Sequence, residues 1–380
     1  MRISTIRAVP LPAFEYPPGD PNRVGGDPPR DWSYWPLALV GVHTEDGALG
    51  VGSVYSDVRL VRAAIEVLEP LWRDEVVSEP ARVAEKLRRH AAWIGRGGTI
   101  DHTISGIDIA LWDLFGQTTG QPVARLLGGR YRERVRPYAS IVTGDIDTLS
   151  ERLGRLRAEG YRAFKCGWIP FGRVSAALDE RIVRTAREAV GDDSDLMVDA
   201  GGNDAFWDQR YKWALRTADM LADYGVRWFE EPLSPSSLED FVRLRERSRT
   251  PIAAGEALVG RQAFRSWIEH YALDVVQPDV SKVGGISEQR RIAEAIEDHG
   301  LQYIGHGSYS ALGVAADLQL ASAFPTATLV EFETDSAYMN QICNGAFRLD
   351  ADGMLAIPDA PGLGVTVDLD ALKEFTKDAL

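Results

Sequence analysis

Cysteine is scarce in this chain: 380 residues carry two, Cys166 and Cys343. Two widely spaced cysteines exclude a disulfide framework and make a reducing compartment the expectation. Long apolar runs are missing as well. None approaches the length of a membrane span, and Met1-Arg2-Ile3-Ser4-Thr5 has no apolar signal core. A soluble cytoplasmic protein is expected. There is no basic excess, because 42 Lys and Arg face 56 Asp and Glu for a net charge of −14. That balance argues against nucleic acid and anionic membrane as partners. An anionic small molecule stays open, since a bound metal and one or two lysines reverse the local field.

What the chain does have is apolar residues, 45% of the total. This is enough for a sizeable core and argues against disorder. Residues 1–130 read as an α+β module. Arg2 to Val9 is a first strand. Leu37 to His43 and Leu49 to Tyr55 form a hairpin around Glu45-Asp46-Gly47. Between strand and hairpin, Glu15 to Trp35 is rich in proline and glycine and holds Tyr16, Trp32, Tyr34 and Trp35. A long irregular loop is functional or disordered. Four aromatics argue against plain disorder and leave a lid as one reading. Val61, Ala64, Leu68 and Leu71 share a helical face, as do Ile104, Ile107, Leu111 and Leu114. The second helix is expected to begin after Asp101 or Thr103, both acceptable caps.

Residues 131–355 repeat a different pattern, in which short apolar runs alternate with amphipathic, charge-rich stretches. The predicted strands are Val135–Ile141, Ala163–Gly167, Leu196–Ala200, Trp228–Glu231, Ile252–Glu256, Val275–Pro278, Gln302–Gly305 and Thr328–Phe332. Several intervening helices end at glycine: Gly160, Gly191, Gly225 and Gly300. Eight strands alternating with helices predict an α/β fold, a (β/α)8-type barrel with the first module beside it. Residues 356–380 cannot supply another barrel unit and are expected to pack back on the first module.

A polar residue ends each strand from the second to the eighth: Lys165, Asp199, Glu230, Glu256, Asp279, His306 and Glu331. The spacing places all seven at the C-terminal face, where barrel enzymes keep their sites. Asp199, Glu230 and Glu256 end three consecutive strands. Hard oxygens of that kind suit Mg²⁺, with positions left for water and substrate. Salt bridges to barrel lysines and arginines are the competing reading. By strand alternation Glu231 should face away from Glu230, behind the site. Asp279 and His306 lie on neighbouring strands, where an aspartate fixes the imidazole tautomer and stabilises the imidazolium. A core histidine satisfied by a backbone carbonyl is the plainer reading. Lys165 at the mouth can pair with a substrate carboxylate or favour negative charge forming beside the metal. Alternatively it is a structural lysine bridging to Asp199. Glu331 could position a substrate oxygen. Cys166 should point into the strand-helix layer.

These residues together resemble a known family. Lys165, Val198-Asp199-Ala200, Glu230-Glu231-Pro232, Gly255-Glu256, Pro278-Asp279-Val280-Ser281-Lys282-Val283-Gly284-Gly285, His306 and Glu331 resemble the mandelate racemase subgroup of the enolase superfamily. Ser105-Gly106-Ile107-Asp108-Ile109-Ala110-Leu111-Trp112-Asp113 and Leu126-Leu127-Gly128-Gly129 look like that family's capping domain. The resemblance implies a capping domain, a modified barrel, one Mg²⁺, abstraction of a proton α to a carboxylate, and often an oligomer. It has two departures. Racemases of the subgroup usually carry a second lysine two residues after the first, and here that position is Gly167. The position two after the metal aspartate is often asparagine, and here it is Gly201, with Asn203 nearby. Racemisation needs proton donors on both faces of the substrate, whereas one His306-Asp279 dyad suffices for dehydration. The expected function is Mg²⁺-dependent dehydration of a sugar acid, an aldonate or aldarate, to a 2-keto-3-deoxy acid. The alternatives are a sugar acid or lactone cycloisomerase or epimerase, a non-catalytic sugar-acid-binding barrel, and a glycosidase using Glu230 and Glu256.

Overall fold

The structure, a computed structural model, describes residues 1–11, 37–168, 170–201, 211–307, 309–334, 341–344 and 347–380. The expected lid aromatics and Asn203 lie outside these residues. The first module is an antiparallel sheet of β1 (Ile3–Leu11), β2 (Leu37–Thr44) and β3 (Leu49–Tyr55). Helices α1 (Val58–Trp72), α2 (Pro80–Ala91) and α3 (Thr99–Thr119) pack on it. The predicted face of α1 is buried through Val61, Ala64 and Leu68. The expected start of α3 needs correction. The helix begins earlier, with Gly98 at its cap, and Asp101 sits inside the first turn. Its carboxylate there reaches back to accept the Gly97 N–H, just before the cap. A short helix, α4 (Val123–Leu126), leads to the barrel.

The barrel repeat runs β4 (Arg134–Val142), α5 (Ile146–Glu159), β5 (Ala163–Gly167), α6 (Ala176–Val190), β6 (Asp195–Asp199), α7 (Tyr211–Asp223), β7 (Phe229–Glu230) and α8 (Leu238–Arg247). It continues through β8 (Ile252–Ala254), α9 (Gly260–Glu269), β9 (Val275–Val276), α10 (Gly285–Asp298), β10 (Gln302–Tyr303), α11 (Ala311–Ala323) and β11 (Leu329–Glu333). Parallel ladders join β4 to β10 in chain order, and β11 returns beside β4. Among the described residues no ladder joins β10 to β11. Side chains close the ring instead. Tyr138, Ala163, Met197, Trp228, Ala253, Val275, Ile304 and Leu329 form one buried cluster, with one residue from each of the eight strands or next to it. This is the layered filling that makes a barrel interior a core.

Three strands keep only two ladder residues each. The predicted runs extend further because the chain bends off the ladder at the C-terminal face. Glu231 turns to φ 43°, and Pro278 has no N–H to donate. Beyond β11 come β12 (Cys343–Asn344), β13 (Leu355–Ala356), β14 (Thr366–Val367) and α12 (Leu369–Phe375), with β13 antiparallel to β4. Leu363 N–H donates to Asp113 Oδ1 at 2.9 Å, and Asp378 pairs with Arg62 at 2.5 Å. The tail thus touches both α3 and α1.

Helix α3 also caps a barrel helix. Asp108 accepts the Ser287 N–H at 2.8 Å and the Ser287 hydroxyl at 2.6 Å, in the first turn of α10. Ser105 Oγ accepts the Gly284 N–H at 2.8 Å. The segment between Asp279 and α10 is thereby held by the first module. Burial pushes the Asp108 carboxyl up to about 7, with Glu288 adding to it and the Ser287 hydrogen bonds opposing it. A raised acid favours the folded state most when protonated. Its contribution is full below the ordinary carboxylate range and is lost as pH rises through about 7. Asp108→Asn, neutral throughout, should flatten the fall in unfolding free energy between pH 4 and 7 by on the order of 4 kcal/mol. Denaturant melts across that range test it, and a variant curve parallel to the parent's rejects it.

Candidate active site

All seven strand-end residues lie at one end of the barrel, six of them buried and Glu256 partly buried. Each is placed by the strand before it, and the alternation that buries Trp228 inside the barrel turns Glu230 inward as well. Glu230 Oε2 accepts Trp228 Nε1–H at 3.0 Å and Gln277 Nε2–H at 2.9 Å. Lys165 Nζ lies 2.5 Å from Glu230 Oε1, 2.9 Å from Glu331 Oε1 and 3.3 Å from Asp199 Oδ2. Burial alone would lower the Lys165 pKa, but Glu230, Glu331, Tyr138 and Asp199 outweigh it and hold the ammonium well above its usual range. The bridge to Asp199 is therefore real, as one contact of three.

His306 and Asp279 form the expected dyad, with Nδ1 2.8 Å from Oδ2. Asp279 Oδ1 accepts both the N–H and the hydroxyl of Ser281, at 2.7 and 2.6 Å. With Nδ1–H committed to the aspartate, Nε2 faces the site. It lies 2.7 Å from Glu256 Oε2 and 3.3 Å from Glu331 Oε2. Burial pulls the imidazole pKa down, but Glu256, Glu331 and Asp279 outweigh that and raise it well above its ordinary value. A carbonyl-satisfied core histidine would not be met by three carboxylates.

The acids are crowded. Burial, Glu230 and Glu256 push Asp199 up to about 7, against the pull of Lys165. Glu231 corrects the strand-alternation expectation. The ladder stops at Glu230, and the left-handed turn at residue 231 keeps its buried side chain in the same carboxylate cluster. Burial and then Glu256, Asp199 and Glu230 raise its pKa well above normal. A concentration of hard oxygen donors that penalise one another's charge is what a divalent cation relieves. Asp199 and Glu230 are register partners on adjacent strands, and Glu256 lies two residues past the end of the next. The donor set fits Mg²⁺. The side chains are not yet gathered on one point: among the described residues no group of three His, Cys, Asp or Glu has that arrangement. Asp199 and Glu230 turn to Lys165, while Glu256 turns to His306 and Lys282. The three expected ligands thus follow consecutive strands, with their carboxylates turned to different cations.

Lys282 was legible in the Lys282-Val283-Gly284-Gly285 motif but carried no expected role. Its ammonium is 3.2 Å from both Glu256 Oε1 and Asp279 Oδ2. It also sits 4.4 Å from the Tyr55 ring centroid and 5.3 Å from that of Tyr309. Tyr55 ends β3, so the first module reaches the barrel mouth. Trp168, at φ 61°, donates Nε1–H to Asp199 Oδ2 at 3.1 Å. Sequence offered no signal for Trp168, because its left-handed turn is imposed by its neighbours. Cys166 is buried in the strand-helix layer as expected, and burial pushes its thiol up to about 12.

Two family models cover this architecture. The "Enolase C-terminal domain-like" model matches residues 148–371. The "Mandelate racemase / muconate lactonizing enzyme, N-terminal domain" model matches residues 32–128. The chain belongs to the mandelate racemase and muconate lactonizing enzyme family. It is similar to the D-galactarolactone cycloisomerase of Agrobacterium fabrum, 32% identical over 360 residues, covering 89% of this chain and 90% of that one. It is also similar to the D-xylonate dehydratase of Haloferax volcanii, 31% identical over 359 residues, covering 89% and 85%. A solved racemase from Streptomyces coelicolor with bound magnesium superposes with TM-score 0.83 at 27% identity, covering 98% of this chain and 99% of that one. The family's relatives at about this similarity are sugar acid dehydratases and cycloisomerases.

Proposed function

We propose that this chain dehydrates a sugar acid, an aldonate or aldarate, to a 2-keto-3-deoxy acid in an Mg²⁺-dependent reaction. The observation that carries this reading is one imidazole base among the described residues. His306, oriented by Asp279, stands on one side of the site. At Gly167, where a racemase of this family would place a second lysine, a Cβ would lie 1.8 Å from the Asp199 carbonyl oxygen. A base on one face, with no room for a side chain at residue 167, suits a reaction that moves a proton on one face.

In that reaction His306 Nε2 takes the α proton, and the C–H electron pair passes into an enediolate. Collapse of the enediolate expels the β hydroxyl, which leaves as water with the proton from the imidazolium. The enol then tautomerises to the ketone. Asp279 holds Nδ1–H throughout and stabilises the imidazolium. Lys165 places positive charge beside the developing anion, and Glu331 positions Lys165 and a substrate oxygen. Asp199, Glu230 and Glu256 would hold Mg²⁺, which when bound would supply positive charge to the substrate carboxylate. The cycloisomerase names among the relatives support a second reading, with the same proton transfer and a ring oxygen as leaving group.

The test is a panel of hexonates, pentonates and aldarates with Mg²⁺, assayed for 2-keto acids and for α-proton exchange in deuterated water. Failure to form any keto acid or to exchange any proton rejects the reading. Glu256→Gln should abolish stoichiometric Mg²⁺ binding in titration calorimetry. Retained binding removes Glu256 from the ligand set.

A further inference from the structure

Asp317 is buried on α11 and belongs to none of the groups described so far. Its carboxyl lies behind the segment that carries the base. A Cβ built on Gly305 would meet Asp317 Oδ1 at 2.6 Å, and one built on Gly307 would meet Oδ2 at 2.6 Å. Each oxygen thus packs against one of the two glycines that bracket His306. No side chain fits at residue 305 or 307 while the carboxyl is there, since real Cβ atoms do not approach that closely. Asp317 is itself held. Gln289 Nε2, on α10, donates to Asp317 Oδ1 at 3.0 Å and to the Tyr303 hydroxyl, on β10, at 2.9 Å. Three elements converge on the back of one three-residue segment.

We infer that Asp317 is a positioning residue: its carboxyl braces Gly305-His306-Gly307 from behind and sets where the imidazole stands relative to Asp279 and the substrate's α carbon. This rests on His306 being the base. Backbone bonds from His306 N–H to Pro278 O at 3.0 Å and from Val280 N–H to His306 O at 2.9 Å tie the segment to its neighbouring strand, but two of its three residues have no side chain to fix its back. Burial, and then Asp279, push the Asp317 carboxyl well up, which favours its neutral form over a fourth negative charge behind an imidazole that already faces three carboxylates. A neutral amide of the same shape can therefore replace it.

The test compares Asp317→Ala with Asp317→Asn. The alanine variant should lower kcat by about 10–100-fold, because a displacement of the base near 1 Å is worth that much. KM and Mg²⁺ affinity should stay within about threefold, since the metal ligands are on other strands. Asp317→Asn should restore kcat to within about threefold of the parent, as isosteric changes do. Gly305→Ala should be harmful in the parent and add no further loss in the Asp317→Ala background, where the space has been vacated. Unchanged kcat in Asp317→Ala, a parallel loss of kcat, KM and metal binding, or a harmless Gly305→Ala in the parent each overturns the inference. A readout independent of turnover is the ¹⁵N-histidine NMR spectrum. The His306 Nδ1–H signal should shift or broaden in Asp317→Ala and return in Asp317→Asn, and an unchanged signal overturns the inference. If the parent turns over no acid at all, the dehydratase reading fails on that panel, and the histidine spectrum alone then decides the role of Asp317.

Discussion

His306→Asn is expected to stop both dehydration and α-proton exchange, lowering the rate by at least about 10²–10⁴-fold, the usual worth of general acid-base help. Asparagine keeps a donor near the Nδ1 position, so the hydrogen bond to Asp279, 2.8 Å in the parent, can be retained. What is lost is Nε2, the atom that faces Glu256 and Glu331 across the site. Two measurements separate base from scaffold. Exchange of the α proton into deuterated water reports the first chemical step alone. Mg²⁺ affinity reports the carboxylates and should persist, because Asp199 and Glu230 do not touch the imidazole and Glu256, 2.7 Å from Nε2, keeps its carboxylate when that contact goes. Undiminished turnover rejects His306 as the base. Loss of exchange together with loss of Mg²⁺ binding places the histidine in the metal site's support instead.

The second large effect belongs to a residue without a side chain. Gly167→Ala should destabilise the protein by about 1–3 kcal/mol or more, the range for overpacking a close-packed interior. The alanine Cβ would fall 1.8 Å from the Asp199 carbonyl oxygen and 2.6 Å from its carbonyl carbon. Neither is the yielding end of a flexible side chain. Relief requires β5 and β6 to part where the Trp168 N–H donates to Asp199 O at 2.8 Å. Asp199 is an expected metal ligand, so Mg²⁺ affinity and kcat should fall together with the melting temperature. Gly167→Lys should fare no better and should gain no racemase activity, because the obstacle is the Cβ and not the ammonium. Parent-like melting and turnover in Gly167→Ala would show that the strands yield cheaply. A racemase-like second base would then be within reach of a single substitution.

Much of this architecture was legible because it repeats. A strand ending in a polar residue, followed by an amphipathic helix, recurs often enough that each unit supports the others. Glycines such as Gly160 and Gly191 close helices α5 and α6 as their positions predict. Errors came where the repeat stops. The start of α3 is set by Gly98 and by Asp101 reaching back to Gly97, a choice among several acceptable caps that sequence cannot rank. Glu231 was misread because alternation is a property of a ladder, and the ladder ends one residue earlier. Apart from Asp279, three residues before it, the contacts of Lys282 come from Glu256, Tyr55 and Tyr309, on separate parts of the chain, so no local pattern points to them.

Sequence by itself determined the barrel class, the ring of Lys165, Asp199, Glu230, Glu256, Asp279, His306 and Glu331, and the missing second lysine. The first two follow from periodicity and residue chemistry, which are local, and the third from the resemblance to the mandelate racemase subgroup. Tertiary structure alone decided three other things. It drew Glu231 into the carboxylate cluster, and it set Asp317 behind the two glycines that flank the base. It also showed that residue 167 is glycine because the Asp199 backbone leaves room for nothing else. Each is a contact across strands or helices, fixed by how close two backbones approach, and chain order does not encode that distance.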